Sequence, residues 1–246
     1  LKAVIQGKTW PDGLTDIQHR MEDIEHHMLK FLDNHDEQRL ASPEFAGTPQ
    51  KGKPLMVVSA TLSSAPTMIY FGQEVGEAGN ENAGFGTHSR TSIFDYIGVP
   101  NHQRWMNGGK FDGGQLSQSE KDLRDFYKRL LNFSINSSAL MGNFQEIQTA
   151  NRNITPGYDI AIYSYVRWSD TQKLIVVTNF YSLASSNFEL RIPADIIQKW
   201  NLKDGTYTIT DQLYQKKTTQ LRVENGEGKA QISIGPSESF IFELKN

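Results

Sequence analysis

Apolar residues in the first half of the chain recur at helical and at strand spacing. One stripe at three- and four-residue intervals predicts a helix and consists of Leu14, Ile17, Met21, Ile24 and Met28. The elements predicted after it are a strand over residues 28–32, a helix over 53–63, a strand over 67–71 and a helix over 116–133. This order predicts two βα units of a parallel sheet. Residues 72–114 are rich in Gly and Asn and show little periodicity, and loops of that length are usually functional or disordered.

The pattern changes to strand-like alternation after about residue 144. Six strands are predicted, over residues 160–168, 173–180, 188–193, 206–214, 229–235 and 239–245. Turn-rich segments separate them, and a short helix is predicted within 194–200. Short strands at this spacing favour an antiparallel β-sandwich. The chain is therefore predicted to be α/β plus all-β, with domains at residues 1–144 and 145–246.

Four polar residues, Asp33, Asn34, His35 and Asp36, directly follow the first predicted strand. The carboxyl ends of parallel strands form the edge where α/β enzymes carry out chemistry, so the cluster is a candidate catalytic edge. Asp and Asn are also common in Asx turns and helix N-caps. Position alone leaves both interpretations open.

Composition excludes several classes of protein. The chain has 246 residues and a net charge of −3, a balance that argues against nucleic-acid binding. It contains no run of about 18 apolar residues that would span a membrane. It has no cysteine, so it forms neither disulfides nor a thiolate zinc site.

The order of the residues around the cluster carries a resemblance to a known family. The stretch "FLDNHDEQR" (31–39) resembles the Phe-x-x-Asn-His-Asp motif that ends the seventh barrel strand in the α-amylase family of glycoside hydrolases. Three later stretches are similar to the eighth strand, its loop and the last barrel helix: "SSAPTMIYFGQEVG" (63–76), "RTSIFDYIGVPNHQRW" (90–105) and "LRDFYKRLLNFSINSSALMGNF" (123–144). The resemblance implies a partial (β/α)8 TIM barrel followed by the family's all-β C-terminal domain.

The resemblance also implies roles for individual residues. Asp36 would be the carboxylate that stabilises the positively charged, oxocarbenium-like transition state, and His35 would hydrogen-bond to the same sugar. Arg39 and Trp105 are the other substrate-site candidates, with Arg39 pairing with a neighbouring carboxylate to fix the loop. We expect Asn34 to brace the turn and Asp33 to be a solvated or capping carboxylate.

The same resemblance places the nucleophile Asp and the acid/base Glu on barrel strands upstream of this sequence. Glu74, Glu77 and Glu81 do not replace them, and Glu74 matches a structural position of the family. We therefore expect the chain to belong to a longer enzyme and to be inactive alone. Its expected partners are an α-glucan and either the missing barrel portion or a second copy.

The sequence also contains candidate metal ligands and candidate sugar-stacking aromatic residues. The adjacent His26 and His27 point in different directions, and Asp112 lacks the ligand spacing of an EF-hand. No metal or cofactor is therefore predicted for this chain, although a calcium ion is possible in the upstream portion. Of the aromatic candidates, Trp105 could line a sugar groove or the core, and Phe71 fits the core better. The remaining aromatic candidates are Phe85 and Tyr96 for the groove, and Trp168 and Trp200 for either a sandwich core or a surface starch site.

The resemblance implies hydrolysis of α-1,4-glucosidic bonds in starch, maltodextrins or cyclodextrins. A transferase on the same scaffold is an alternative, as is a non-catalytic carbohydrate-binding or structural homologue. A periplasmic or extracellular location is expected rather than a cytoplasmic one.

Overall fold

A computed structural model of the chain describes residues 1–79, 89–91, 99–214 and 217–245. The α-helices are α1 (Lys2–Ile5), α2 (Asp12–Arg20), α3 (Pro49–Thr61), α4 (Pro100–Met106), α5 (Gln118–Asn136) and α6 (Ala194–Lys199). Short 3-10 helices cover Glu25–His27, Gln73–Val75, Asn107–Gly109 and Ser138–Met141. None of the helices described is long and apolar enough to cross a membrane.

Helices α3 and α5 lie where the apolar pattern predicted them, whereas α2 is shorter than predicted. It ends before Met21, and the chain continues through a turn into a 3-10 helix. Its buried face consists of Leu14 and Gln18, four residues apart, while Ile17 and Ile24 are exposed. The apolar residues of the predicted stripe therefore do not mark the face of α2 that is buried. The loop predicted over 72–114 also contains α4, a helix too short to show periodicity.

The two strands predicted in the first half are parallel neighbours. Lys30 and Thr67 form a parallel bridge, in which the Lys30 N–H donates to Pro66 O (2.9 Å) and the Met68 N–H donates to Lys30 O (2.8 Å). Among the described residues, this bridge is the only ladder pairing that the two predicted strands form. The partial (β/α)8 barrel stays a prediction.

The second half is all-β and antiparallel, as predicted, and its eight strands form one curled sheet where the prediction was a sandwich of packed sheets. Its strands are β1 (Asn143–Glu146), β2 (Ile162–Trp168), β3 (Lys173–Asn179), β4 (Ser186–Ile192), β5 (Gly205–Asp211), β6 (Thr218–Glu224), β7 (Glu227–Ile234) and β8 (Ser239–Leu244). They hydrogen-bond in the order β1-β2-β3-β8-β5-β6-β7-β4. The sheet curls so that residues from both of its ends, such as Ile162 on β2 and Leu190 on β4, share one apolar core.

A second apolar core joins the helices to this sheet. Leu55 and Met56 of α3 and Leu130 of α5 pack in one cluster with Tyr165 and Val176 of the sheet. The contact buries the face of β2 and β3 that the curled core does not use. The helices and the sheet are therefore held together by a continuous apolar layer, which fixes the parallel bridge and the turn after it relative to the sheet.

Candidate active site

The residues after the parallel bridge form a tight turn that one side chain holds. Asn34 Oδ1 accepts hydrogen bonds from the backbone N–H groups of Asp36 (2.8 Å) and Glu37 (2.9 Å). Asn favours this geometry because its short side chain mimics a backbone carbonyl. Asn34 therefore braces the turn, in agreement with the role expected of it.

The turn presents His35 and Asp36 to solvent. Their side chains are 52% and 68% exposed, and His35 Nε2 lies 3.2 Å from Asp36 Oδ2. The other carboxylate oxygen, Asp36 Oδ1, lies 3.8 Å from Arg90 Nη2. An imidazole and a guanidinium thus flank an accessible carboxylate, which leaves the carboxylate free to face a ligand.

Behind the turn, Asp33 and Arg39 form a buried ion pair with no exposed surface on either side chain. Asp33 Oδ2 lies 3.5 Å from Arg39 Nε and accepts a hydrogen bond from the Leu40 N–H (2.8 Å). Burial raises the pKa of the Asp33 carboxyl, and Arg39 and the Leu40 N–H only partly oppose it. Of the two roles expected for Asp33, solvated or capping, the solvated one is wrong, because the side chain is fully buried and accepts a backbone N–H that closes the loop from 33 to 40.

Arg39 connects the turn to two other segments. Its guanidinium donates to Phe71 O (2.6 Å), Thr91 Oγ1 (3.2 Å) and Glu77 O (3.4 Å). Pairing with a neighbouring carboxylate was expected, and Asp33 is that carboxylate. Because the side chain is fully buried, its placement favours a positioning role over the sugar contact that the motif suggested.

Trp105 lies on α4, beside an open cleft with a volume of about 690 Å³. Its ring stacks on His102, with centroids 5.6 Å apart, and the Arg124 guanidinium lies 5.5 Å from its centroid. Phe71 and Tyr127 also line the cleft, whereas His35 and Asp36 are not among the described residues that do. The structure therefore does not bring Trp105 into one cavity with Asp36, and its sugar-binding role stays a prediction.

The other carboxylates considered from sequence have different placements. Glu77 is buried, and its Oε2 accepts from the N–H groups of Asn101 (2.9 Å) and His102 (3.3 Å) in the first turn of α4. Glu74 borders the cleft beside Trp105. Glu81 and the groove candidates Phe85 and Tyr96 lie outside the described residues.

No metal centre is evident in the part of the chain that the structure describes, where no three His, Asp or Glu side chains are grouped to hold an ion. Asp112 instead accepts from Asn107 Nδ2 (2.7 Å) and the Gly114 N–H (2.9 Å), which lowers the pKa of its carboxyl. Trp200 is buried in the core of the curled sheet, and Trp168 packs against that core.

The sequence did not place Arg90 beside Asp36, although Arg90 begins the stretch at 90–105 that resembles the family's loop, and it did not show the burial of Asp33. Arg90 lies more than 50 residues from Asp36 along the chain, and the loop that carries it has no periodicity. Nothing in the spacing of Asp33 and Arg39 shows that both are buried. The nearest signal was the presence of one carboxylate and one guanidinium on either side of the Asn-His-Asp motif.

Comparisons with known proteins place the fold. No family model matches the chain, and no curated protein matches it either. Solved structures do match: a noncanonic maltogenic α-amylase from Thermotoga neapolitana is 16% identical with a TM-score of 0.60, over 100% of this chain and 48% of that one. Gamma-CGTase from alkalophilic Bacillus clarkii is 15% identical with a TM-score of 0.63, over 100% of this chain and 31% of that one. AmyP in complex with maltotriose is 19% identical with a TM-score of 0.62, over 97% of this chain and 46% of that one.

The fold is thus that of a C-terminal portion of α-amylase-family enzymes, which confirms the resemblance at the level of structure. The chain spans less than half of the length of each of these relatives.

Proposed function

We propose that the chain is the C-terminal part of a retaining glycoside hydrolase that acts on α-1,4-glucosidic bonds in starch, maltodextrins or cyclodextrins. In this proposal Asp36 is the carboxylate that stabilises the transition state. The observation that carries it is the exposed Asp36 carboxylate on a braced turn, in a chain that has the fold of α-amylases. The maltotriose and maltose complexes among the matching structures support a glucan as the substrate class.

The chemistry requires a fixed negative charge close to the sugar. Cleavage with retention develops positive charge on the ring, and a preorganised carboxylate stabilises that charge more effectively than mobile water does. The backbone N–H of Asp36 donates to Asn34 Oδ1, and this hydrogen bond holds the residue in place. The two oxygens of its carboxylate lie next to the donors His35 Nε2 and Arg90 Nη2. The nucleophile and the proton donor would come from the remainder of the enzyme.

Two apolar surfaces beside the parallel bridge support packing against such a remainder. One is the apolar part of the cleft, bordered by Phe71 and Tyr127, and the other is a cavity of about 170 Å³ bordered by Leu14 and Phe31. Leu29 and Phe31 are 50% and 42% exposed. Exposed apolar faces next to unpaired strand edges favour association with further strands and helices.

The decisive experiment is Asp36→Asn in the full-length enzyme, with kcat and KM measured on a maltooligosaccharide. We expect kcat to fall by at least about 10²-fold with a smaller change in KM, because the substitution keeps the shape and removes the charge. Glu37→Gln is the matched control, since Glu37 is the next exposed carboxylate on the same turn and has no assigned role. Equal turnover of Asp36→Asn and Glu37→Gln would contradict the proposal and favour a non-catalytic carbohydrate-binding protein.

A transferase is the second candidate, because the fold also matches a Gamma-CGTase with a TM-score of 0.63. The products separate the two activities. Hydrolysis of one pure maltooligosaccharide yields only shorter sugars, whereas transfer also yields longer or cyclic ones.

A further inference from the structure

Two residues, Asn225 and Gly226, form the whole loop between β6 and β7. Glu224 and Glu227 pair with each other directly before and after it. Both loop residues have a positive φ, +53° for Asn225 and +77° for Gly226, as a type I′ hairpin turn requires. Asn-Gly suits this turn because neither residue is strongly disfavoured at positive φ. The side chain of Asn225 is exposed to water.

An exposed Asn-Gly pair is open to spontaneous deamidation. The backbone nitrogen of Gly226 attacks Cγ of Asn225, the new C–N bond closes a five-membered succinimide, and the side-chain nitrogen leaves as ammonia. Water then adds to one of the two succinimide carbonyls and opens the ring, which gives aspartate or isoaspartate. The Gly226 nitrogen must lose its proton in the first step, so a group that holds this N–H slows the reaction.

A carboxylate from another loop holds this N–H. Asp204, just before β5, accepts from the Gly226 N–H through Oδ1 (3.1 Å) and from the Asn225 N–H through Oδ2 (3.0 Å). Hydrogen bonds to an ionised carboxylate are stronger than those to a neutral acceptor. The negative charge opposes loss of the Gly226 proton, and the bond directs the nitrogen toward Asp204 instead of toward the Asn225 side chain.

Tyr207 on β5 fixes the loop that carries Asp204. Its hydroxyl donates to Lys203 O (2.8 Å) and accepts from the Lys203 N–H (3.1 Å). Both backbone polar groups of the residue before Asp204 are therefore held by one side chain. Asp204 is exposed, and this anchoring keeps its carboxylate beside the hairpin turn.

We infer that Asn225 is a modification site, at which water converts the asparagine to aspartate or isoaspartate, and that Asp204 limits the rate of this conversion. The inference is independent of the proposed function. It gives the carboxylate of Asp204 a chemical role that the fold alone does not require.

The modification would weaken the hairpin in two ways. Aspartate adds a carboxylate to a turn that already has those of Asp204, Glu224 and Glu227, and like charges opposite each other are destabilising. Isoaspartate lengthens the backbone of the two-residue turn, which then no longer has the geometry that fixes the register of β6 on β7. Slow deamidation therefore preserves this edge of the curled sheet.

The second Asn-Gly pair of the sequence, Asn107 and Gly108, provides an internal comparison. Here a carboxylate holds the side-chain amide: Asn107 Nδ2 donates to Asp112 Oδ1 (2.7 Å). Asp204 takes no part in this contact. The rate at Asn107 should therefore not respond to substitution of Asp204, whereas a general loss of stability would raise the rate at both sites.

The test follows deamidation at Asn225 and Asn107 by peptide mapping with mass spectrometry, in the folded full-length protein at mildly alkaline pH. We expect Asp204→Ala to accelerate the reaction at Asn225 by roughly 3- to 10-fold, the value of one hydrogen bond. Asp204→Asn should accelerate it less, because its amide oxygen still accepts from an N–H. Glu227→Gln is the matched control, since it removes an exposed carboxylate next to the turn and leaves Asp204 in place.

A parallel measurement in urea separates the folded contact from the local sequence. All variants should deamidate at the same rate at Asn225 when unfolded, because Asp204 meets the turn only in the folded chain. Equal rates for wild type and Asp204→Ala in the folded state would overturn the inference. It would also be overturned if Glu227→Gln accelerated the reaction as much as Asp204→Ala, or if Asp204→Ala and Asp204→Asn both raised the rate at Asn107 as well.

Discussion

At the scale of single residues, the four consecutive side chains from Asp33 to Asp36 differ in their exposure to solvent. Asp36 is exposed while Asp33, three positions earlier, is completely buried. The family motif correctly predicted that Asn34 braces the turn, whereas the catalytic and substrate-binding roles of Asp36 and His35 stay predictions. It did not reveal the burial of Asp33, because that depends on the chain folding back through Leu40 and on Arg39 reaching three segments. Such contacts are set by tertiary structure and leave no periodic signal.

The burial of Asp33 has a consequence for pH dependence. Burial raises the pKa of Asp33 above its ordinary value of 3.8. A raised folded-state pKa means that Asp33 contributes its stability below about pH 4 and loses it as pH rises through the folded-state value. Asn mimics the protonated acid, so we expect Asp33→Asn to become more stable relative to wild type as pH rises above about 4. Urea unfolding of both proteins across this range checks the sign, and an opposite trend would mean that Arg39 outweighs burial.

At the scale of elements, agreement with the sequence depends on how strongly each element is patterned. Helix α5 was predictable because its buried residues, including Leu123, Phe126 and Leu130, repeat at helical spacing. Strands β1 and β6 were not predicted: β1 has only four residues, and β6 ("TTQLRVE") is mostly polar although it alternates between buried and exposed positions. Pairing with β5 and β7, not composition, makes β6 a strand.

The start of α5 offers a clean test of local stability. Ser117 is the N-cap, and its backbone N–H donates to Glu120 Oε2 (2.7 Å), while the same Glu120 carboxylate pairs with Arg104. We expect Ser117→Ala to lower the free energy of unfolding by about 1 kcal/mol, because a backbone N–H loses its acceptor. Lys121→Ala, one turn further along the exposed face of α5, is the control. Equal effects of the two substitutions in chemical denaturation would show that the cap is unimportant.

At the scale of the whole molecule, the predicted domain boundary between residues 144 and 145 leaves one apolar core wholly within the second part. The other apolar core contains residues from both parts. The core of the curled sheet lies entirely within the second part, from Ile147 to Leu244. The other core unites both parts, and polar contacts reinforce it. Arg167 donates to Leu62 O (2.6 Å), and burial lowers the pKa of its guanidinium to about 10, so it stays charged at neutral pH. We therefore expect residues 145–246 to fold alone but less stably than within the chain.

Substitutions at two tyrosines test separately how much each of these cores contributes to stability. Tyr165 Oη lies 2.5 Å from Thr61 Oγ1 across the boundary, whereas Tyr158 Oη lies 2.8 Å from Ser164 Oγ within the second part. We expect Tyr165→Phe to cost about 1 kcal/mol in the complete chain and nothing in residues 145–246. Tyr158→Phe should cost a similar amount in both. The boundary is wrong if residues 145–246 show no cooperative unfolding in urea.

The core that spans the boundary also constrains the order in which the molecule can form during synthesis. Thr15 and Tyr163 meet across 148 residues of sequence, and Thr61 and Tyr165 meet across 104. A ribosome adding roughly 5–20 residues per second needs about 5–20 s to make the residues between Thr61 and its partner. Throughout that interval α3, in which every residue from Pro54 to Thr61 is buried in the finished structure, has no sheet to pack against. The nascent chain therefore carries an exposed apolar helix until β2 and β3 emerge. We expect chaperones to bind the nascent chain mainly during this interval.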